Sequence, residues 1–546
     1  MTLPDGERVA FVDVPGHERF VPNMLAGIGP VPAVMFVVAA DEGWMPQSTE
    51  HLAALDALGV TRGLLAITRA DLADPELAEE EARIHLAGTS LAEIPAVPVS
   101  GVTGQGLDDL RAALAGLVAG LPTPDPDADV RLWIDRAFTI GGAGLVVTGT
   151  LPAGRIRTGD RMTLASTGRE VRVRGLQTLE EPADEVTGVA RVAVNLRGTD
   201  RPRRGDALLA RGAWRSTDQA DCLLPPGADP PGELMLHVGA AGVPARVRPL
   251  GDRTVRLRLA HPLPLRYGDR ILLRNPGRHE IAAGGIVLDP DPPALRRRGA
   301  ARHRATELTT IAEASDGPAG ATQAGAVRLR WVGFARGTEL RTLGFVPPGE
   351  PVLAGWYADP ELWAGLPGRL RDAARDWAGR HPLEPGLPEH VALRALGLPD
   401  GGLLAAVTRR AGLTAADGRI AEQGHDDSLP AKVARSVDGV LKDLRDDPFA
   451  APDANRLARL GLGPRELAAA VRAGRLLKVT DGIVLAPDAI TRARPVLAAL
   501  PQPFTLSDAR KALGTTRRVA VPFLELLDRR GVTVRLPDDT RRVADA

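Results

Sequence analysis

Val9-Ala10-Phe11-Val12-Asp13-Val14-Pro15-Gly16-His17-Glu18 is the stretch whose reading decides the fold. The apolar run Val9–Val14 reads as a strand. It delivers Asp13 and then a Pro15-Gly16 turn followed by His17. At the end of a strand a carboxylate can reach the hydration shell of Mg²⁺, and a glycine N–H can reach a γ-phosphate oxygen. A histidine just beyond can orient an attacking water. The same residues could also form an ordinary strand-to-loop turn, so the surrounding sequence has to discriminate.

Working outward, residues 1–121 read as α/β. Short β-rich runs at Val34–Ala39, Gly63–Thr68 and Ala96–Ser100 alternate with helical segments at His51–Leu58, Pro75–Leu86 and Leu107–Leu117. That alternation predicts a parallel sheet with ligand loops at the carboxyl ends of its strands. Two of those loops fit guanine. Thr68-Arg69-Ala70-Asp71 places a carboxylate where it can accept hydrogen bonds from guanine N1–H and N2–H₂, donors that adenine lacks. Ser100-Gly101-Val102-Thr103 offers backbone N–H groups to guanine O6. The plain structural alternative for Asp71 is a helix N-cap before Leu72–Leu86. A GTPase would carry a P-loop, G-x-x-x-x-G-K-[ST], ahead of Asp13. The only lysines are Lys432, Lys442, Lys478 and Lys511, so no P-loop lysine is present.

Composition bounds the class. The chain has 546 residues, 44% hydrophobic and 25% charged, as in globular proteins of several domains. No run of eighteen apolar residues is present, so no membrane span is expected. The start shows no signal-peptide pattern. One cysteine, Cys222, excludes an internal disulfide framework and any multi-cysteine metal site. A cytoplasmic location is expected. Net charge is zero overall, but residues 1–121 hold 17 acidic and 6 basic side chains, a net −11, leaving +11 for the remainder. Any nucleic acid should therefore contact the body and not the front.

Leu121–Asp129 is a Pro-rich linker. From about 130 to 295 short alternating strands and Gly-rich turns predict two β-barrels, with a boundary near 210–230. Pro292–Arg304 is a basic connector. Beyond 305 the chain is mostly helical, in units of about 55–70 residues that end in a strand pair around a glycine, as at Leu476–Leu485. Helices followed by a two-stranded wing predict winged-helix units of the helix-turn-helix class. In the last, Ser507-Asp508 is expected to cap a first helix, Asp508–Leu513, and Thr515 a second, Thr516–Arg529. Arg517 and Arg518 then sit at that helix's N-terminal end, a place suited to phosphate. Pro522 is expected to kink the second helix or end it early. Residues 504–546 carry 9 basic and 6 acidic side chains, so DNA, RNA and a solvated face all remain open on charge alone.

Asp13-Val-Pro-Gly-His17, Thr68-x-x-Asp71, Ser100-Gly101 and the run Asp135-Arg-Ala-Phe-Thr-Ile-Gly-Gly-Ala-Gly-Leu-Val-Val-Thr-Gly-Thr150 together resemble the translational GTPases. The Thr that opens the guanine motif, the Asp-Arg-Ala-Phe of the barrel motif and the winged-helix tail resemble the bacterial selenocysteine-specific elongation factors, the SelB family. The resemblance covers nearly the whole chain in the same domain order. It implies a P-loop-type GTPase domain lacking its N-terminal portion (1–121), two β-barrels (130–210 and 211–295) and four winged-helix units (305–358, 359–425, 430–490 and 491–546). It implies GTP and Mg²⁺ as cofactors, with Asp13 in the Mg²⁺ shell through water. Pro15 and Gly16 would lie at the γ-phosphate, His17 would position water, and Thr68, Asp71, Ser100 and Gly101 would hold guanine. The implied partners are selenocysteinyl-tRNA, a selenoprotein mRNA hairpin and the ribosome, with no membrane and a monomeric state. The implied activity is GTP-dependent delivery of selenocysteinyl-tRNA at UGA codons.

The resemblance also implies a pocket for the selenocysteine at Asp135, Arg136 and Arg191. A selenol is an anion at neutral pH, so two guanidiniums suit it and reward serine little. The structural alternative is a surface salt bridge of Asp135 with Arg136 or Arg191. By the same resemblance Arg517 and Arg518 would face the mRNA hairpin. The sequence departs from the family in lacking the P-loop and the threonine-bearing switch, and in having Arg69 where lysine is usual. We therefore expect the chain to begin at an internal Met of a longer protein, and GTP turnover to be impaired in the chain as given. The alternatives are an RNA-binding adaptor without nucleotide turnover and a DNA-binding regulator, the latter disfavoured by the barrel motif.

Overall fold

A computed structural model describes residues 1–3, 6, 8–14, 32–142, 144–198, 201–278, 280–313, 317–384, 386–422 and 429–544. The chain forms two units, Met1–Asp359 and Pro360–Ala546.

The first unit opens with a three-stranded parallel sheet, β1 (Val34–Ala39), β2 (Gly63–Thr68) and β3 (Ala96–Pro98), in that order. Its helices are α1 (Pro46–Ala57), α2 (Pro75–Leu86) and α3 (Leu107–Ala119). Gly63-Leu-Leu-Ala-Ile-Thr68 is an unbroken apolar run because β2 is buried on both faces. Leu65 and Ile67 face a cluster with Phe36, Leu52, Leu55 and Leu86, while Leu64 and Ala66 face Leu114. α1 starts at Pro46, earlier than the expected His51, since a proline at the first helical position is pre-set for the helix. Trp44, in the loop before α1, stacks between Phe36 and His85 at centroid separations of 5.3 and 4.5 Å.

One expectation is corrected. Val9–Val14 is not a strand of this sheet. The Met1 ammonium donates to Val9 O and Val9 N–H to Met1 O, each at 2.9 Å, and Thr2 bridges Arg8. The start of the segment is thus paired with the chain's first residues. Among the described residues β1 pairs only with β2.

Two antiparallel barrels follow. The first comprises β4 (Arg131–Trp133), β5 (Arg136–Ile140), β6 (Gly144–Leu151), β7 (Arg155–Arg157), β8 (Arg161–Leu164), β9 (Glu170–Thr178), β10 (Glu181–Ala183), β11 (Glu185–Thr187), β12 (Ala190–Arg197) and β13 (Ala207–Ala210). Its main path runs β4-β13-β8-β9-β12-β6-β5 around a core that includes Ile134, Val147, Val173 and Val194. The second is closed, in the order β14-β17-β16-β15-β18-β19. Its strands are β14 (Thr217–Leu223), β15 (Glu233–Val238), β16 (Ala241–Pro249), β17 (Thr254–Leu263), β18 (Arg270–Asn275) and β19 (Glu280–Asp289). α1 packs on this barrel, with Leu272 and Ile281 joining the cluster of Leu52 and Leu55. Gly284 permits the approach, because a Cβ there would sit 2.2 Å from Ala57 O.

The unit ends in α4 (Ala300–Glu313), α5 (Pro318–Val332), β20 (Phe334–Arg336), α6 (Gly337–Thr342) and β21 (Trp356–Ala358), β20 and β21 pairing antiparallel. α4 is fixed to the second barrel by a buried ionic network. Arg304, 0% exposed, donates to Asp221 at 2.8 Å and Asp289 at 2.5 Å, and Arg256 binds Asp221 through two hydrogen bonds. Burial pushes the Asp289 carboxyl up, against the pull of Arg304 and Arg328.

In the second unit the pattern of helices followed by a hairpin recurs. The first turn of it is α7 (Pro360–Arg380), β22 (Leu387–Pro388), α8 (Glu389–Leu396), α9 (Gly401–Arg410), β23 (Leu413–Ala416) and β24 (Arg419–Glu422). Next come α10 (Ala431–Asp446), α11 (Ala454–Arg459), α12 (Pro464–Arg472), β25 (Leu477–Thr480) and β26 (Ile483–Leu485). The last is α13 (Ala489–Ala498), α14 (Leu506–Ala512), α15 (Arg517–Arg529), β27 (Thr533–Arg535) and β28 (Arg541–Val543). Val437, Leu467, Leu485, Phe504 and Phe523 belong to one cluster, so the last two repeats share a core. Among the described residues no single helix is long and apolar enough to cross a membrane.

Candidate nucleotide, aminoacyl and RNA sites

The loops after β1, β2 and β3 are stitched together at the carboxyl end of the sheet. Ala40 N–H donates to Thr68 O at 2.8 Å and Ala70 N–H to Val99 O at 3.1 Å. Thr68 is half-buried, its hydroxyl 3.4 Å from Val38 O. Asp71 is exposed, and among the described residues its carboxylate accepts no hydrogen bond. It is not the helix cap: Asp74 caps α2, accepting from Glu76 N–H at 3.0 Å. The structural alternative for Asp71 therefore falls, and the group is available to a ligand.

Ser100 is fully buried and shapes the next loop. Its N–H donates to Gln105 O at 2.9 Å, and its Oγ accepts from Val102 and Thr103 N–H at 3.2 and 3.1 Å. That uses three of the four N–H groups considered for guanine O6 and leaves Gly101, which is exposed with open space around it. Arg69 has a positive φ of 55° and binds Asp41 and Glu42 at 2.9–3.2 Å. The two acids were not singled out from sequence; their place at the end of a β1-type run was the available signal. Asp13 is exposed. Pro15, Gly16 and His17 lie outside the described residues. A recess of about 230 Å³ beside Thr61, Arg62, Thr89 and Glu93 opens at the amino ends of β2 and β3, away from these loops.

On the first barrel the strand register gathers the aminoacyl candidates. Arg136 lies opposite Thr148, and Arg191 opposite Thr150. Residues two apart share a face, so Arg136, Thr148, Thr150 and Arg191 line one side of β5-β6-β12. Asp135, mostly buried, accepts from Thr148 Oγ1 at 2.6 Å and forms an ion pair with Arg191. The salt bridge weighed as the structural alternative is thus present for Arg191. Arg136 is exposed and has no carboxylate partner among the described residues. Thr148, missed from sequence, anchors the aspartate; it became visible only once register was known.

At the C-terminal end two capping expectations are corrected. Thr505, and not Ser507-Asp508, caps α14, in a reciprocal pair with Asp508. Thr515 does not cap α15: it is buried and its hydroxyl donates to Phe449 O, while Thr516 holds the cap position. α15 runs through Pro522 to Arg529 without ending early. Proline six residues into the helix removes the backbone donor for the Arg518 carbonyl alone. Arg517 and Arg518 are both exposed, but Arg518 is tethered to Ala451 O and Pro452 O at 3.2 and 3.3 Å.

Comparison with known proteins gives three family matches: the elongation factor Tu GTP binding domain over residues 4–119, the beta-barrel domain of the selenocysteine-specific elongation factor over 232–294, and the winged helix of elongation factor SelB over 496–543. The selenocysteine-specific elongation factor of Desulfomicrobium baculatum is 36% identical over 310 residues, 53% of this chain and 49% of that one. That of Escherichia coli strain K12 is 33% identical over 426 residues, 72% and 66% of the two chains. This chain thus spans between about half and about two thirds of the length of these curated relatives. A crystal structure of the bacterial selenocysteine-specific elongation factor EF-Sec shares the fold, with a TM-score of 0.73 at 21% identity, covering 100% of this chain and 92% of that one.

Proposed function

We propose, since the chain belongs to the selenocysteine-specific elongation factor family of translational GTPases, that it carries selenocysteinyl-tRNA to the ribosome at UGA codons under the control of GTP. Its C-terminal winged helix would bind a hairpin in the selenoprotein mRNA. The protein would act as a cytoplasmic monomer, divided at the boundaries given above. Asp71 would read guanine N1–H and N2–H₂, and Gly101 N–H would meet O6. Asp13 would hold Mg²⁺ through water, Pro15 and Gly16 would turn the chain onto the γ-phosphate, and His17 would position the attacking water. Arg517 would meet the hairpin backbone.

The observation that supports this most is the single face of β5-β6-β12 that carries Arg136 and Arg191, with Asp135 orienting Arg191. Serine and selenocysteine are carried by the same tRNA in turn, so only the side chain can distinguish them. A selenolate there would gain a charge-assisted partner worth about 1.5–3 kcal/mol, roughly ten- to a hundred-fold in affinity. The test is the affinity for selenocysteinyl- and seryl-tRNA in the presence of GTP, before and after Arg191→Ala. A loss concentrated on selenocysteinyl-tRNA is expected. Equal losses on both would make Arg191 a general contact and remove the pocket.

A further inference from the structure

The connector after the second barrel and the start of α4 together contain five arginines in nine residues, Arg296-Arg297-Arg298-Gly-Ala-Ala-Arg302-His-Arg304, with no acidic residue from 292 to 306. The structure divides them sharply. Arg304 points inward and is fully buried on Asp221 and Asp289. Arg296, Arg297, Arg298 and Arg302 are exposed, and among the described residues none has a carboxylate partner. Many other arginines in this unit are paired, including Arg131 with Asp269, Arg215 and Arg328 with Asp291, and Arg266 with Asp129. The exposed four are therefore a concentrated and uncompensated positive charge.

They also stand on a fixed base. Pro293 O accepts from Arg256 Nη1 at 2.8 Å, Leu295 packs into the apolar cluster of α4 and α5, and Ala300 N–H closes a turn onto Arg297 O at 3.1 Å. Ala305 meets Gly251 so closely that a Cβ on the glycine would lie 2.7 Å from it. A ligand thus meets arginines whose backbone is already ordered, which lowers the cost of binding. Four guanidiniums within seven residues fit the phosphates of a folded RNA and contribute affinity without sequence preference.

We propose that Arg296, Arg297, Arg298 and Arg302 form a phosphate-backbone site for the body of a tRNA, separate from the aminoacyl pocket on the first barrel. This rests on the reading of the protein as a tRNA carrier. The choice of tRNA over the mRNA hairpin follows from location: the patch shares a unit with the barrels, whereas Arg517 lies in the other. The test uses deacylated tRNA, so that the aminoacyl pocket plays no part and its failure stays distinguishable. Affinity is titrated between 50 and 200 mM salt, a window over which phosphate contacts dominate. The triple variant Arg296→Gln, Arg297→Gln, Arg298→Gln should flatten the slope of log K against log salt by about one per arginine lost. Arg302→Gln alone should flatten it by about one. Neither should move the melting curve, because all four side chains are exposed. A short hairpin RNA serves as the second arm and should keep its slope. An unchanged slope with tRNA, or a change confined to the hairpin or equal on both RNAs, would overturn the proposal.

Discussion

The Asp71–Asp74 pair shows how two like residues three apart divide their labour. Asp74 satisfies an orphan N–H at the start of α2, and Asp71 keeps its carboxylate exposed. Asp74→Ala should cost about 1 kcal/mol of stability, as lost caps do, and leave nucleotide preference alone. Asp71→Asn should do the reverse. An amide turns one acceptor into a donor, which suits xanthine O2 and repels guanine N2–H₂, so the affinity ratio of xanthine to guanine nucleotides should rise at least tenfold while melting stays unchanged. Competition binding with the two nucleotides reads this directly, and a constant ratio would remove Asp71 from the base site. His237 in β15 gives a second prediction at this scale. It lies opposite Gly242 and is mostly buried, and desolvation, with Arg274 and Arg204 adding repulsion, lowers its pKa to about 4. The unfolded chain has the ordinary value of about 6.5 and binds the proton first. The neutral histidine's contribution is therefore intact above about pH 6.5 and is lost as pH falls toward about 4. Melting midpoints from pH 7 to 4.5 should fall more steeply for the native protein than for His237→Gln; parallel curves would refute this.

Elements were legible wherever pattern and burial agreed. β1, β2 and α2 fall where their apolar periods put them, and the wing β25–β26 falls at the strand pair expected around Gly482. The failures are local. Val9–Val14 has the composition of a strand, but a strand needs a ladder, and the start of this one finds its partner in Met1 and Thr2. Thr505 and Thr516 took the caps assigned to their neighbours, since one residue of phase decides whether a hydroxyl meets N–H groups or the core. Arg517 and Arg518 looked equivalent in sequence. Structure separates them, because Arg518 spends its guanidinium on the carbonyls of Ala451 and Pro452. Arg517→Ala should therefore weaken hairpin RNA binding and flatten its salt dependence by about one, with little change in stability. Arg518→Ala should lower stability by about 1 kcal/mol through lost hydrogen bonds. Chemical denaturation and RNA titration of both variants would show it, and identical phenotypes would contradict it.

For the whole molecule, domain order could be read because each class of element carries its own period, and the acidic front and basic body could be counted. The candidate site was legible only in part. Asp71 and Ser100-Gly101 are candidates that strand-end position suggests, whereas Thr148, Asp41 and Glu42 find their partners through register and loop closure, which no linear pattern records. Least legible was the joint at Arg304, where Asp221, Arg256, Asp289 and Arg304, drawn from separate stretches of sequence, meet in the buried interior. Removing one partner of such a network strands the rest. Arg304→Met should cost about 3–5 kcal/mol, seen as a lower urea midpoint for the unit that holds the barrels. Arg302→Met, two residues away on the surface, should stay within about 0.5 kcal/mol. Equal midpoints for the two variants would show the network to be dispensable.

That joint also bears on how such a chain can be cut and recombined. A connector rich in proline and arginine looks like a natural seam between modules, and a crossover there would seem harmless. Yet any graft that brings a foreign helix after residue 295 takes Arg304 from both Asp221 and Asp289 and leaves Arg256, on Asp221, to serve the pair. One that brings a foreign barrel buries Arg304 without Asp221 and Asp289, leaving it Glu307 of its own helix at 3.5 Å. Either chimera has to acquire at least two matched changes together, so the path between functional recombinants crosses a deep valley. The last barrel and the first helix pair should therefore be inherited as one block, and viable shuffling should find its breakpoints elsewhere.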